Sequence, residues 1–551
     1  MLRHTTGPNL AGIVARVITA LKAHLAKYLL LVNPLLVAFL PVSLIYGANV
    51  GEVTFSGAAT TMLVIMASAS LFMLAVWLIV RNGAAASFLA TIWLFMFFFY
   101  GHIFDLTTGA SLGGFVFGRY RYLIAMDILV ALGALLLAFR ARHFCVQVRP
   151  VISVALLAPL LFTWISIGIS RVAASDTKIS GIEEIENIKL PQLPQERLPD
   201  IYYIILDTYP RDDVLRSVFG FDNNEFLDQL ENNDFYIASS STTNYIQTHL
   251  SLASSLNMDY LQNLVDDVQP QSNNSPILRS LVQDNKAALL SQRMGYQFAF
   301  LRTYFDITLV NPHSDSGLSN IGYPFGPVGR LVLQPILGTE FNFFLIRTTM
   351  LRQFVNFGFD YFAADLFTKK IDQLKRISEV EGPTYTFAHF VPPHPPYVFD
   401  REGNLRNVEF STQSWGDKEG YIDQLVWVNK SIAEVVDYIL ENNKENSVIV
   451  IQGDHGPEIS DTHRVIALGG EPDADLVRER TGVLNAIHLP KMCRPGNLYE
   501  TITSVNTFRV IFDACWGTEF GLLEDDVYWS NYENPFDFTP VDEVARSKSD
   551  Q

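Results

Sequence analysis

The chain has 551 residues, 49% of them apolar and 18% charged, with 57 Asp/Glu against 40 Lys/Arg for a net charge of −17. An acidic balance of this size argues against a nucleic-acid binder, which selects basic surfaces, while the length leaves room for more than one domain. The average hides two unlike parts: up to Ala174 there are 11 Lys/Arg against 3 Asp/Glu, and beyond it 29 against 54. A basic, apolar first third joined to an acidic remainder reads as a membrane anchor carrying a soluble domain.

A helix needs about 20 mainly apolar residues to cross the hydrocarbon core. Five stretches qualify, at 28–48, 58–80, 84–106, 122–139 and 150–169. Asp127, near the start of the fourth, is expected at the interface. Arg16, Lys22 and Lys27 precede the first span, Arg81 separates the second from the third, and Arg140, Arg142 and Arg149 separate the fourth from the fifth. These alternate loops outweigh Arg119 and Arg121 on the other side, so the positive-inside rule puts the N-terminus in the cytoplasm. Five crossings then put everything after Arg171 outside the cytoplasmic (inner) membrane, in a periplasmic or extracellular space. The expected domains are a transmembrane part at 1–172, a polar Pro-containing linker at 173–198, a catalytic domain at 199–530 and a tail at 531–551. Cys493 and Cys515 can pair in an exported domain or stand as two small apolar residues, and both readings remain open.

In the soluble part, continuous β-rich apolar runs at 201–206, 385–391 and 447–452, with a shorter one at 296–301, suit strands buried on both faces. Helical patterns at 371–380 and 421–442 lie between them. The alternation predicts an α/β fold with a mainly parallel central sheet and a ligand site at its carboxyl edge. The aromatic-rich stretch 341–362 is interrupted by Arg347 and Arg352, which argues against a sixth span. It reads either as a buried helix pair or as an amphipathic element resting on the bilayer.

Asp207 ends the first run, and Asp454 and His455 follow the third in Gly453-Asp454-His455-Gly456. Carboxylates and an imidazole at strand ends can hold a divalent metal. Thr248 precedes a possible helix, where free N–H groups favour an anionic ester. Taken singly, each has a bland reading: an Asp after a strand is usually a cap, and Thr is a common N-cap. His389, inside a strand, reads as a satisfied core histidine rather than a ligand.

The combination resembles the alkaline phosphatase superfamily, in the branch with sulfatases, lipoteichoic acid synthases and bacterial phosphoethanolamine transferases. The likeness is carried by 199–207 ending at Asp207, by Gln247-Thr248-His249, by 389–397 around His394, by Gly453-Asp454-His455-Gly456-Pro457 and by 501–509. It implies an alkaline-phosphatase-like α/β sandwich behind the five-helix transmembrane bundle. It also implies one divalent ion (manganese, zinc or magnesium) on Asp207, Thr248, Asp454 and His455, with Thr248 as nucleophile. His394 is then a catalytic and substrate-binding residue, and Arg211 and His463 are substrate contacts. The expected activity is phosphotransfer or phosphoester hydrolysis on lipid-linked or glycan headgroups at the membrane. Sulfate-ester hydrolysis and non-catalytic headgroup or partner binding are the alternatives. The nucleophile turn has no Cys and no Arg at the spacing that formylglycine-dependent sulfatases use, which argues against their chemistry.

Overall fold

The computed structural model describes residues 32–546 apart from 51–52, 109, 113–114, 117, 176–177, 180–184, 267–274, 322–338, 407–414, 444–445, 460–461 and 494–497. The beginning of the first expected span, its basic flank and the last five residues of the expected tail lie outside the described residues. The chain divides into two compact units, one of Met1–Ile169 with Phe341–Val355 and one of Ser170–Glu340 with Asn356–Gln551.

The first unit holds α1 (Val32–Ala48), α2 (Phe55–Val80), α3 (Gly83–Thr107), α4 (Tyr120–Arg140) and α5 (Arg142–Ser175). Four of them, α2 to α5, are long and apolar enough to cross a membrane, with mean hydropathy between 1.7 and 2.6, and the 17-residue α1 is a shorter apolar helix. Large apolar side chains point outward, among them Leu71, Ile79 and Phe162 at 67, 81 and 76% exposure. A bundle with an apolar exterior is the inverse of a soluble one and fits a hydrocarbon solvent. Two residues reverse the chain between α2 and α3. Arg81 closes α2 in the left-handed region at φ 54°, and the Asn82 side chain caps α3 by accepting from Ala85 N. Asp127, expected at the interface, is 5% exposed and turned among the helices, seven residues into α4.

The second unit is built on a six-stranded sheet. Its strands are β1 (Asp200–Leu206), β2 (Tyr236–Ile237), β3 (Gln297–Leu301), β4 (Thr384–Phe390), β5 (Ser447–Gly453) and β6 (Asn485–His488), in the spatial order β2-β6-β5-β1-β4-β3. The four runs expected from sequence form the parallel centre, and β6 and β2 add an antiparallel edge. Every residue of β1, β4 and β5 is buried, as continuous apolar strands covered on both faces must be. The flanking helices include α6 (Thr248–Asn257), α8 (Arg352–Ile377), α9 (Lys418–Asn443), α10 (Thr462–Leu468) and α11 (Ser504–Trp516), while α7 (Glu340–Arg347) falls almost wholly in the first unit. The stretch 341–362 thus divides between α7, the turn after it and the start of α8, and its part up to Val355 belongs to the first unit. Of the expected linker, Ile185, Ile188, Leu190 and Leu193 pack on the core of the second unit.

Register decides what the sheet can do. Leu206 lies beside Phe390 on one side and Gly453 on the other, so the carboxyl ends of the three central strands stop level with one another. Asp207, the turn after β4 and Asp454-His455 therefore emerge along one edge.

Cys493 and Cys515 are joined in a disulfide that closes a span of 22 residues, tying the segment after β6 to α11. Closing a loop of that length stabilises a domain by about 3 kcal/mol. Replacing both cysteines by serine is expected to shift the urea midpoint of the domain down by a corresponding amount, and dithiothreitol should do the same to the unsubstituted chain.

Candidate metal centre

Asp207, His389 and Asp454 present ligand atoms that all lie within 4.8 Å of one another. Asp207 leaves β1 with its own N–H donating to Phe390 O at 2.9 Å. The next residue, Thr208, takes the left-handed conformation at φ 62°. That turn aims Thr208 N–H at Asp454 Oδ1 (3.0 Å), which also accepts from His455 N (2.9 Å). Gly453 and Gly456 are required by close packing: a Cβ would stand 2.2 Å from Tyr209 O at the first and 1.9 Å from Glu479 O at the second.

His389 corrects the sequence reading. It is fully buried, but its Nε2 has no hydrogen-bond partner and lies 3.5 Å from Asp207 Oδ2. Its other nitrogen shows why. The Thr303 hydroxyl donates to Phe305 O (3.2 Å), so it accepts from Thr308 (2.7 Å). Thr308 Oγ1 is then free to accept from His389 Nδ1–H at 3.0 Å. The hydroxyl chain fixes the tautomer and leaves the Nε2 lone pair facing the carboxylates, the usual outer support of a metal-binding imidazole. The Lys370 ammonium, buried on α8, donates to His389 O and lies 4.9 Å from the Phe390 ring centre. Burial pushes Lys370 down to about 7.

His455 is oriented in the same way. Its Nδ1–H donates to Gly456 O at 3.0 Å, so Nε2 carries the lone pair. That nitrogen lies 3.5 Å from Asp454 Oδ2 and 3.8 Å from Asp207 Oδ1. Thr248, the first residue of α6 and 7% exposed, donates its hydroxyl to the same nitrogen at 2.9 Å. The structure thus brings Asp207, Thr248, Asp454 and His455 to one place from three distant parts of the chain.

Burial and the charge of Asp207 push the Asp454 carboxyl well above its ordinary range. Burial acts on Asp207 too, but the imidazoles around it, His394 first, outweigh that and hold it at about 2. Burial takes His455 down to about 3, so the ring is neutral. Asp207 Oδ1, Asp454 Oδ2 and His389 Nε2 are all buried without partners. Two carboxylate oxygens and an imidazole nitrogen aimed at one dry space fit a divalent cation of the zinc or manganese type.

His394 stands at the rim. Its Nδ1–H donates to Pro395 O at 2.6 Å, and its ring meets Trp415 edge to face at 5.1 Å. The Arg211 guanidinium is engaged by both Asp213 oxygens, at 2.7 and 2.8 Å, and by Ser241 O at 2.7 Å. His463 falls in α10, and its side chain lies outside the described residues. Sequence reasoning missed Arg480. This wholly buried arginine donates to Ile246 O (2.8 Å) just before Thr248 and to Gly456 O (2.5 Å) just after His455, and it pairs with Glu458 at 2.9 Å. A lone arginine at a helix end carries no local signal for such a role.

The family model described as Sulfatase matches residues 199–483, more than half of the chain. No curated protein matches. Similar solved structures include the C-terminal periplasmic domain of EptC from Escherichia coli, at 11% identity over 65% of this chain and 92% of that one, with a TM-score of 0.36. The integral membrane lipooligosaccharide phosphoethanolamine transferase A of Neisseria meningitidis is similar at 12% identity over 84% and 88%, with a TM-score of 0.34. A phosphonate monoester hydrolase of Agrobacterium radiobacter is similar at 15% over 60% and 80%, with a TM-score of 0.36. With its metal-ligand group at the carboxyl edge of a mostly parallel sheet, the chain belongs to the sulfatase family, within the alkaline phosphatase-like superfamily.

Proposed function

We propose that the protein is a membrane-anchored phosphotransferase or phosphoester hydrolase acting on lipid or glycan headgroups through Thr248. One observation carries this reading. The Thr248 hydroxyl opens a helix and lies 2.9 Å from His455 Nε2, beside the unpartnered oxygens of Asp207 and Asp454. A divalent ion held by Asp207, Asp454, His455 and His389 supplies the positive charge that lowers a coordinated hydroxyl's pKa and screens an incoming phosphate. Thr248 Oγ forms a bond to phosphorus as the bond to the leaving oxygen breaks. Oγ gives up its proton to solvent water before attack, and the leaving oxygen takes one from His394. The free N–H groups at the start of α6 favour the anionic group. His394 keeps Nδ1–H on Pro395 O and serves the leaving oxygen as general acid through Nε2. A sugar or lipid hydroxyl then resolves the phospho-threonine in transfer, or water does in hydrolysis. Arg211, held by Asp213 and Ser241 through three of its five N–H groups, keeps two donors for a substrate oxygen.

The membrane helices favour a substrate held at the bilayer. The reading places the N-terminus in the cytoplasm, counts α1 as a fifth crossing and puts the second unit in the periplasmic or extracellular space. The loop charges support this. So does the Cys493–Cys515 disulfide, since such bonds persist in oxidising compartments.

Incubation with an aryl phosphate and manganese or zinc should leave a phosphate adduct on Thr248, found by peptide mass spectrometry. Thr248→Ala should remove the adduct and lower turnover by about a thousandfold or more without changing the unfolding midpoint. An adduct on another residue, or aryl sulfate turned over faster than aryl phosphate, refutes the phosphoryl reading.

A second expectation concerns the metal-free protein. A carboxyl whose pKa is raised on folding stabilises the fold while protonated, and that contribution fades as pH rises from about 4. The metal-free chain should therefore lose stability on going from about pH 5 to about pH 8, the direction set by Asp454. Asp454→Asn should flatten that dependence and abolish metal retention measured by elemental analysis.

A further inference from the structure

The short helix α7 and the turn that follows it do something a soluble loop does not. Phe341 and Leu345 share a core with Val42 and Tyr46 of α1, Ala58 and Met62 of α2 and Ile167 of α5. The Thr61 hydroxyl donates to Asn342 Oδ1 at 2.7 Å, both side chains buried. The turn itself enters the hydrogen-bond ladder of α3. Gly101 N–H donates to Thr348 O at 2.7 Å, and Phe97 O, four residues before Gly101, receives Met350 N–H at 2.9 Å. Glycine is demanded at 101, since a Cβ there would stand 2.4 Å from Arg347 O and 2.7 Å from Thr348 Cα. Arg352, 2% exposed, locks the far side. It pairs with Asp105 at 2.7 Å, donates to Gly101 O at 3.2 Å and lies 4.6 Å from the Phe104 ring centre.

All these contacts fall at the same end of the bundle. Val42 precedes the end of α1 by six residues, Met62 lies seven residues into α2, and Gly101 precedes the end of α3 by six. At 1.5 Å per residue these positions are about 9–10 Å below the helix ends. Backbone that is not helical is tolerated at such depth only where protein satisfies its polar groups, and the Gly101 and Phe97 bonds do that for Thr348 and Met350. Yet Phe344 and Leu351 remain 42 and 45% exposed.

We propose that residues 341–351 form a re-entrant element that dips into one leaflet of the bilayer, where Phe344 and Leu351 contact lipid acyl chains. The segment is then a permanent part of the membrane unit supplied by the later half of the chain. The proposal rests on the membrane reading of the helices and is independent of the catalytic assignment.

The test uses the full chain with Cys145, the one cysteine outside the disulfide, replaced by serine. Single bimane labels are placed through Phe344→Cys or Leu351→Cys, with Glu441→Cys as an aqueous control, and the protein is reconstituted in phosphatidylcholine vesicles. Lipid brominated near the top of the acyl chain should quench positions 344 and 351 at least about twofold more than position 441, and aqueous iodide should quench them less. Gly101→Val, which closes the slot for Thr348, should move both labels toward the control pattern. Iodide quenching of positions 344 and 351 as strong as at 441, with no bromolipid effect, overturns the proposal whatever the Gly101 variant does.

Discussion

Everything at the centre of this protein depends on burying two carboxylates against each other. Asp207 and Asp454 stand at the ends of adjacent parallel strands, 4% and 2% exposed, and each keeps one oxygen without a donor. Like charges in a dry site cannot both be ionised without a counter-charge, and the structure shows the consequence in the upward shift of Asp454. A fold stabilised for its own sake would not retain such a pair. It makes sense as a binding site whose affinity for a cation is set against the cost of holding the carboxylates together.

The scaffold that enforces this arrangement is economical in residues. Level strand ends bring Asp207 and Asp454 together through register alone, and Thr208 in the left-handed region turns an amide onto Asp454. The remaining partner, Thr248, comes from a turn about 40 residues past β1 that no strand positions. Arg480 joins that turn to the metal turn by donating to Ile246 O and Gly456 O, with Glu458 balancing its charge. Its loss would leave Ile246 O without its donor and take one tie each from Gly456 O and from Glu458, loosening the link between the turn before Thr248 and the turn that carries His455.

Much of this was legible in the residues. The central strands were readable because strands covered on both faces are apolar without interruption, as in 201–206 and 447–452. The two antiparallel strands were not: Tyr236–Ile237 pairs over two residues only, and Asn485–His488 mixes polar and apolar side chains. Motif order gave Asp207, Thr248, Asp454 and His455, since each follows or opens an element at a place where chemistry is common. His389 was misread because a histidine inside a strand resembles core, and what makes it a ligand candidate is the Thr303–Thr308 hydroxyl chain, some 80 residues away in sequence. For Arg211 an arginine near a strand end suggests a phosphate contact, and only the fold shows that it also holds Asp213 and Ser241. The aromatic stretch after Glu340 gave two readings because its partners are Gly101 and Phe97, some 250 residues earlier.

The geometry also limits how Thr248 can be activated. Its hydroxyl already donates to an imidazole, which on its own would suggest a threonine–histidine pair with His455 as general base. A base works best when its pKa lies near the working pH, and burial with Arg480 nearby holds His455 at about 3. Such a ring accepts a hydrogen bond but is a poor proton acceptor. Its Nε2 lone pair, which accepts from the Thr248 hydroxyl and faces Arg480 Nη2 at 3.5 Å, sits beside two carboxylates that need positive charge. On the proposed reading, activation of the threonine is tied to the occupancy of the Asp207–Asp454 pair, and the dryness that penalises the empty site is the property that would make a bound cation effective.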